Sequence, residues 1–116
     1  MKIETSKLTG AALDWAVAKC EDYCAEWLIE DNFTHARSSG TFKYSTDWSQ
    51  GGPITERERI ETRYDRTGRF SEPWLASTLE RMITGPTPLI AAMRSHVASK
   101  MGEWVDVPDE LIEEAA

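Results

Sequence analysis

The sequence predicts one small α+β domain, residues 1–116, in which an antiparallel sheet is flanked by two helices as in an alpha-beta-alpha sandwich. A chain of 116 residues has the length of a single domain. Two apolar patterns of helical period lie far apart in the sequence, and short strand-like segments lie between them. Helices separated in this way by short strands favour antiparallel rather than parallel pairing.

The first helix is predicted over residues 9–28, with Thr9 as its N-cap. Its apolar residues share one face, namely Ala12, Leu13, Ala16, Val17, Cys20, Tyr23, Cys24 and Trp27. Trp15 lies off this face, so we expect it to need a separate partner and regard it as a candidate interface residue. Cys20 and Cys24 are four apart on one helix, which is poor geometry for a disulfide, so they are expected to be buried, reduced thiols.

The middle of the chain is rich in turn residues over 31–53, with a short strand predicted at 41–44. Residues 54–64 fit two structures, either a strand or a short charged helix. Residues 65–69 carry a turn signal, and residues 74–79 are predicted to form a strand.

The second helix has the most complete signals. Thr87 is its predicted N-cap, Pro88 fits its first position, and Gly102 fits the position just past its end. Its apolar stripe consists of Leu89, Ile90, Met93, Val97 and Met101. The acidic tail at 109–116 would form a last helical turn or would fray.

The net charge of −7 is distributed unevenly along the chain. Residues 1–35 hold three Lys and seven Asp/Glu (−4), residues 36–101 hold ten Lys/Arg and seven Asp/Glu (+3), and residues 102–116 hold six Asp/Glu (−6). Acidic ends around an arginine-bearing centre argue against nucleic-acid binding, which requires a basic face. They leave room for a small anion in a local arginine pocket.

We expect a cytoplasmic location and no membrane partner. No apolar run approaches the roughly 20 residues that cross a bilayer. The first residues are mixed and polar, unlike a signal peptide.

The segment around Trp48 is the main candidate for ligand binding. Trp48, Ser49, Gln50, Gly51 and Gly52 combine a flat aromatic face with hydrogen-bonding groups and two flexible residues, which suits a loop that receives a ligand. In this interpretation the indole stacks on a planar group while the polar groups donate hydrogen bonds. The alternative is a tight connection between two elements, with the indole packed in the core.

The start of the second helix is a candidate anion site. Backbone N–H groups at a helix N-terminus attract negative charge, although Thr87 could equally mark no more than a well-capped helix. Arg94 lies at the border of the apolar stripe, where its side chain either covers the edge of the core or points into a pocket. The other central arginines alternate with carboxylates, as is typical of a solvated surface.

No catalytic motif, metal motif or cofactor fingerprint occurs in the sequence. We therefore expect no catalytic residue, no metal and no cofactor. A nucleotide hydrolase or transferase remains the enzymatic alternative.

Three long blocks resemble the NinX family of small phage and prophage proteins, a domain of unknown function. They run from Leu8 to Ala18, from Ser45 to Ile54 and from Gly85 to Arg94, and the matches continue towards Leu111. Thr55 departs from the pattern, since members of the family tend to have a second isoleucine there. The resemblance implies a phage or prophage origin, and with it the host cytoplasm, but no established activity.

The leading hypothesis is a non-catalytic accessory protein that binds a small anionic, nucleotide-like ligand and sequesters a host defence signal. Trp48, Thr87 and Arg94 would bind it. The alternative is an acidic inhibitor or adaptor directed at a host protein. A homo-oligomer is expected because so small a sheet leaves its edges uncovered.

Overall fold

A computed structural model describes residues 1–21, 43–78 and 81–111 of the chain. In these ranges it has three helices, two antiparallel sheets and two short 3-10 turns, which confirms the α+β class. The elements are β1 (Lys2–Glu4), the 3-10 turn Thr5–Lys7, α1 (Gly10–Cys20), α2 (Trp48–Arg57), β2 (Glu61–Tyr64), β3 (Trp74–Ser77), β4 (Met82–Gly85), α3 (Pro88–Met101), β5 (Trp104–Asp106) and the 3-10 turn Asp109–Leu111.

Helix α3 is the centre of the fold and begins and ends where the sequence predicts. The Thr87 hydroxyl accepts a hydrogen bond from the Ile90 N–H at 3.1 Å, and Pro88 occupies the first helical turn. Gly102 ends the helix with a φ of 89°, a conformation that favours glycine. Ala92 and Ser95, opposite the predicted stripe, are buried as well. The helix is therefore enclosed on most sides and contacts α1, α2 and both sheets.

The larger sheet has the strand order β2-β3-β4, and both of its strand pairs are antiparallel. Leu75 in the central strand is paired with Arg63 on one side and Thr84 on the other. The smaller sheet pairs β1 with β5, so that Ile3 lies opposite Val105. Strands β1, β4 and β5 were not predicted, because segments of three or four residues are too short to reveal an alternating pattern.

Helix α1 carries the clearest correction to the predicted surface. Trp15, predicted to lie at an interface, is only 2% exposed and belongs to the hydrophobic core. Thr9 has the extended backbone of an N-cap, but its side chain makes no capping hydrogen bond. The described helix ends at Cys20, which is half-buried, and the remainder of the predicted range, with Cys24, lies outside the described residues.

Helix α2 replaces the loop predicted at Trp48, and that prediction was wrong. The Asp47 carboxylate accepts a hydrogen bond from the Ser49 N–H at 2.9 Å and so caps the helix. A proline within a helix usually clashes with the Cβ of the preceding residue, and here that residue is Gly52, which has none. A strong N-cap and a glycine before Pro53 thus permit a helix where the composition indicated a loop.

The segments on either side of α2 also differ from expectation. A strand was predicted at 41–44. Residue 43 has no regular structure and residue 44 begins a turn, whereas residues 41–42 lie outside the described ranges. Neither alternative for 54–64 describes the whole range, since α2 continues to Arg57 and β2 begins only at Glu61. The predicted turn at 65–69 is confirmed, with Gly68 at a φ of 72°. The predicted strand at 74–79 corresponds to β3.

None of the helices within the described ranges combines the length and the apolar character needed to cross a bilayer.

The arginines of the central segment lie on the surface, as expected of a solvated mixed-charge face. They are Arg57, Arg59, Arg63, Arg66 and Arg69.

Candidate ligand site at Trp48

A hollow of about 210 Å³ lies where the beginning of α2 meets the beginning of α3. The described residues that line it are Ser45, Thr46, Trp48, Thr87, Pro88, Leu89 and Ile90. Trp48 is the first residue of α2 and Pro88 is the first residue of α3, so two helix N-termini share one concave surface. Apolar side chains form most of its wall, and three of the described lining residues, Ser45, Thr46 and Thr87, carry a hydroxyl group.

Trp48 is 53% exposed, so its indole is not packed in the core. The alternative in which Trp48 fills the interior is therefore wrong. A Cβ added to Gly52 would meet the indole Cε3 at 3.7 Å, which places the ring against the next turn of its own helix. The ring is thus supported on one side and accessible to solvent elsewhere, as stacking on a ligand requires.

Gly51 sets the distance between the two helices. A Cβ at this position would collide with the Tyr44 carbonyl oxygen and would lie 2.7 Å from Leu89 Cδ1 in α3. The Gly51 N–H donates to the Asp47 carbonyl at 3.0 Å. This glycine therefore permits close packing beneath the hollow, and its N–H group has an acceptor within the protein.

A buried hydrogen-bonded pair fixes the turn that precedes Trp48. Asp14 in α1 accepts hydrogen bonds from the Ser45 N–H at 2.9 Å and from the Ser45 hydroxyl at 2.7 Å. Both residues are buried. Burial raises the pKa of Asp14, and the two hydrogen bonds from Ser45 oppose that rise. The pair joins α1 to one wall of the hollow and holds Ser45 and Thr46 in place.

The wall contributed by α3 has the features of an anion site. The Ile90 N–H is bonded to the Thr87 hydroxyl, and the Ala91 N–H is bonded to the Thr87 carbonyl at 3.0 Å. Pro88 has no N–H, so the Leu89 N–H is the remaining backbone donor of this first turn. The positive end of the α3 dipole adds to its attraction for negative charge, whereas the Asp47 carboxylate already caps the N-terminus of α2.

Ser49 and Gln50 take part in local hydrogen bonds instead of lining the hollow. The Ser49 hydroxyl donates to the Asp47 carboxylate at 2.7 Å, and this bond is the main reason that the pKa of Asp47 is lowered. The Gln50 side-chain oxygen accepts from the Lys43 N–H at 2.9 Å. Both side chains stabilise the start of α2 and so hold Trp48 in its orientation.

Arg94 lies away from the hollow, at the other side of the α3 wall. It is 3% exposed, and its Nε donates to the Leu8 carbonyl at 2.8 Å. Its Nη1 donates to the Glu72 carboxylate and to the Thr84 carbonyl, each at 2.8 Å. Neither alternative from the sequence describes this arrangement, in which the guanidinium joins α3 to three other segments. Because the Arg94 guanidinium is hydrogen-bonded within the protein, its role is structural.

A second buried polar group lies further along α3. His96 is completely buried, and its Nε2 is 3.1 Å from the Glu21 carboxylate. Arg57 donates two hydrogen bonds to the same carboxylate, at 2.9 and 2.8 Å, and these are the main cause of its lowered pKa. Burial lowers the pKa of His96 against the opposing effect of Glu21 and Glu58. A neutral His96 with its proton on Nε2 can donate to Glu21.

In the described part of the chain no group of three or more His, Cys, Asp or Glu side chains is placed to hold a metal ion. The prediction that no metal is bound remains a prediction.

Comparison with protein families matches residues 4–100 to the model described as Bacteriophage P22, NinX. The match covers most of the chain and confirms the resemblance drawn from its three blocks. The protein is thus a phage accessory protein. More narrowly, the chain belongs to the NinX family. Among curated proteins none is a match.

The family blocks coincide with the parts that build the hollow. Its described lining residues lie between 45 and 48 and between 87 and 90, inside the second and third blocks. Asp14, which holds Ser45, lies inside the first block. Sequence reasoning missed Asp14 and Ser45, and the available signal was a carboxylate placed within the apolar surroundings of α1.

Proposed function

We propose that this phage accessory protein binds a small, planar, anionic ligand of nucleotide type in the hollow beside Trp48. The observation that carries the proposal is that a half-exposed indole and the first turn of α3 line the same hollow. An indole face suits a nucleobase, and a helix N-terminus suits a phosphate. The proposed role is the capture of a host defence signal by stoichiometric binding.

The size of the hollow limits the ligand. Pockets for drug-sized molecules enclose about 300–1,000 Å³, whereas this hollow encloses about 210 Å³. It therefore holds one ring system or one phosphate group, and the remainder of the ligand extends along the surface. A mononucleotide or one half of a cyclic dinucleotide fits this description.

The lining of the hollow favours binding over catalysis. Among its described lining residues there is no His, Cys, Lys, Arg, Asp or Glu. General acid–base catalysis requires a titratable group within reach of the reacting atoms. Hydroxyl groups and one backbone N–H can hold a ligand but cannot move protons efficiently at neutral pH, so we propose that the ligand leaves unchanged.

Calorimetry against a panel of linear and cyclic nucleotides tests the proposal. We expect at least one nucleotide to bind with a stoichiometry of one and no turnover. Trp48→Ala should weaken that binding by about tenfold, since stacking of a base on an aromatic ring contributes about 1–3 kcal/mol.

Trp104→Ala is the matched control, because Trp104 is 55% exposed and does not line the hollow. It should bind as the wild type does. If the whole panel is silent, or if both variants lose affinity equally, the proposal is wrong.

A second candidate function is an acidic inhibitor or adaptor that binds a host protein. It is favoured by the exposed indole of Trp104, which lies in β5 between the exposed residues Glu103 and Asp106. An aromatic anchor within an acidic surface is suited to a basic protein partner. Pull-down from a host lysate should then depend on Trp104 and not on Trp48.

A homo-oligomer remains a prediction. Strands β2 and β4 are the edges of the three-stranded sheet, and a second copy of the chain could pair with either. Light scattering of the purified protein measures the number of subunits directly.

A further inference from the structure

A second hollow, of about 380 Å³, is formed by the 3-10 turn Thr5–Lys7, the start of β4 and the middle of α3. Among the described residues, none lines both this hollow and the one beside Trp48. Its wall includes the apolar side chains of Met82, Ile83 and Ala98.

Ser95 gives the first indication of a ligand. It lines the hollow and is 2% exposed, and its hydroxyl has no hydrogen-bond partner in the described part of the chain. Ser99, one turn later in the same helix, donates to the His96 carbonyl at 2.8 Å. Buried hydroxyl groups are nearly always bonded, so an unpartnered one beside a cavity is available to a water molecule or to a polar group of a ligand. Rotation about a single bond can turn a serine hydroxyl towards such a group.

The charges around this hollow indicate the sign of that ligand. Its lining residues include two carboxylates, Glu4 and Glu103, and one guanidinium, Arg81. Lys7 Nζ lies 3.8 Å from Glu4 Oε1, but the Lys7 side chain is largely exposed and that of Glu4 partly so, and such a pair is weak. The described lining residues thus carry a net charge of −1, and the whole chain carries −7. An ammonium group is favoured here and an anion is not.

We propose that this hollow binds a short aliphatic amine. The ammonium group pairs with Glu4 and Glu103, and the methylene groups pack on Ile83 and Ala98. A polar group at the far end forms a hydrogen bond with the Ser95 hydroxyl. The proposal is independent of the nucleotide site, and it concerns binding without any covalent step.

Calorimetry with putrescine as the probe tests this proposal, with butanediol and succinate as probes of similar length. We expect putrescine to bind and succinate not to bind, with butanediol weaker than putrescine. Equal binding of putrescine and succinate would overturn the assignment of charge. No heat with putrescine would overturn the site.

Two serine variants separate binding from folding. Ser95→Ala removes a hydroxyl that has no partner in the described protein, so the melting temperature should not fall, whereas putrescine binding should weaken by about tenfold. Ser99→Ala, outside this hollow, should bind putrescine as the wild type does. Unchanged affinity in Ser95→Ala would contradict the proposed contact.

Two further variants test the charges and the independence of the sites. Glu103→Gln should weaken putrescine binding, because it removes one carboxylate at an exposed position. Trp48→Ala should leave putrescine binding unchanged, so failure at one site can be distinguished from failure at the other. A loss of putrescine binding in Trp48→Ala would contradict the independence of the two hollows.

Discussion

At the scale of single residues, the glycines of the α2 segment serve packing more than flexibility. Gly51 allows Leu89 and the Tyr44 carbonyl to approach the helix backbone closely. The sequence indicated glycines suited to a ligand loop, because composition alone does not distinguish a flexible backbone from a close contact between two segments. Only the position of α3 against α2 reveals which of the two applies.

Gly51→Ala should destabilise the protein by about 1–3 kcal/mol, the usual cost of overpacking a well-packed region. The added methyl group would lie 2.7 Å from Leu89 Cδ1 and closer still to a backbone oxygen that cannot move independently. The free energy of unfolding in urea measures the effect. An unchanged midpoint would mean that α2 and α3 do not pack in this way.

The buried imidazole of His96 makes stability depend on pH. Burial lowers its pKa below the ordinary value of 6.5, so the unfolded chain binds a proton more readily than the folded protein does. The stability from neutral His96 is therefore complete above about pH 6.5 and is lost as the pH falls through 6.5 towards the lower folded-state pKa. The charged groups that influence it are Glu21, Glu58 and Arg57.

Between about pH 7.5 and pH 5.5, the free energy of unfolding should fall by about 1 kcal/mol less in His96→Gln than in the wild type. Glutamine keeps a donor for Glu21 but does not titrate, and His35 is present in both proteins as an internal match. Urea unfolding at the two pH values provides the comparison. Parallel changes in both proteins would show that His96 does not titrate in this range.

At the scale of elements, helix α3 could be predicted from sequence signals at its own ends. The short strands depend on pairing between segments that are far apart in the sequence. A cap at Thr87, a proline and a terminal glycine lie within one stretch of sequence, so the helix could be assigned with its ends. Strands β1 and β5 are three residues each and pair across the length of the chain, which no local pattern reports. Helix α2 was not predicted, because two glycines and a proline usually disfavour a helix. The capping carboxylate of Asp47 offsets their effect.

The two halves of the Trp48 hollow were each identified from the sequence. The sequence did not reveal that Arg94, the third residue expected to bind the ligand, lies away from the hollow. Arg94 was expected to face the ligand, but it lies about two helical turns beyond Thr87, in a part of α3 that is enclosed on most sides. The guanidinium therefore points to Leu8, Glu72 and Thr84 instead.

Arg94→Met should destabilise the fold by about 2–3 kcal/mol without weakening ligand binding in the Trp48 hollow. The variant leaves two backbone carbonyls and the Glu72 carboxylate without their donor. Arg63→Met, at an exposed position of β2, is the control and should change stability by no more than about 0.5 kcal/mol. Equal effects of the two substitutions would contradict the structural role of Arg94.

At the scale of the whole molecule, the charge of −7 opposes the approach of an anionic ligand. Attraction at the hollow comes from the N-terminus of α3 and acts over a short range. Long-range repulsion and short-range attraction respond differently to salt, because salt screens the long-range part most strongly.

The association rate of a nucleotide should therefore rise as the salt concentration increases from about 0.01 M to about 0.15 M. Stopped-flow measurement of tryptophan fluorescence gives this rate. A fall in rate with salt is the behaviour of a basic binding surface. It would contradict a site on an acidic protein whose described lining residues include no arginine.

The most direct test of nucleotide binding beside Trp48 is an NMR titration that follows the indole N–H signals of the five tryptophans during nucleotide addition. Trp48→Phe and Trp104→Phe identify two of the signals. We expect the Trp48 signal to shift in a saturable way while the Trp104 signal stays in place. A saturable shift at Trp104 with no change at Trp48 would contradict this expectation.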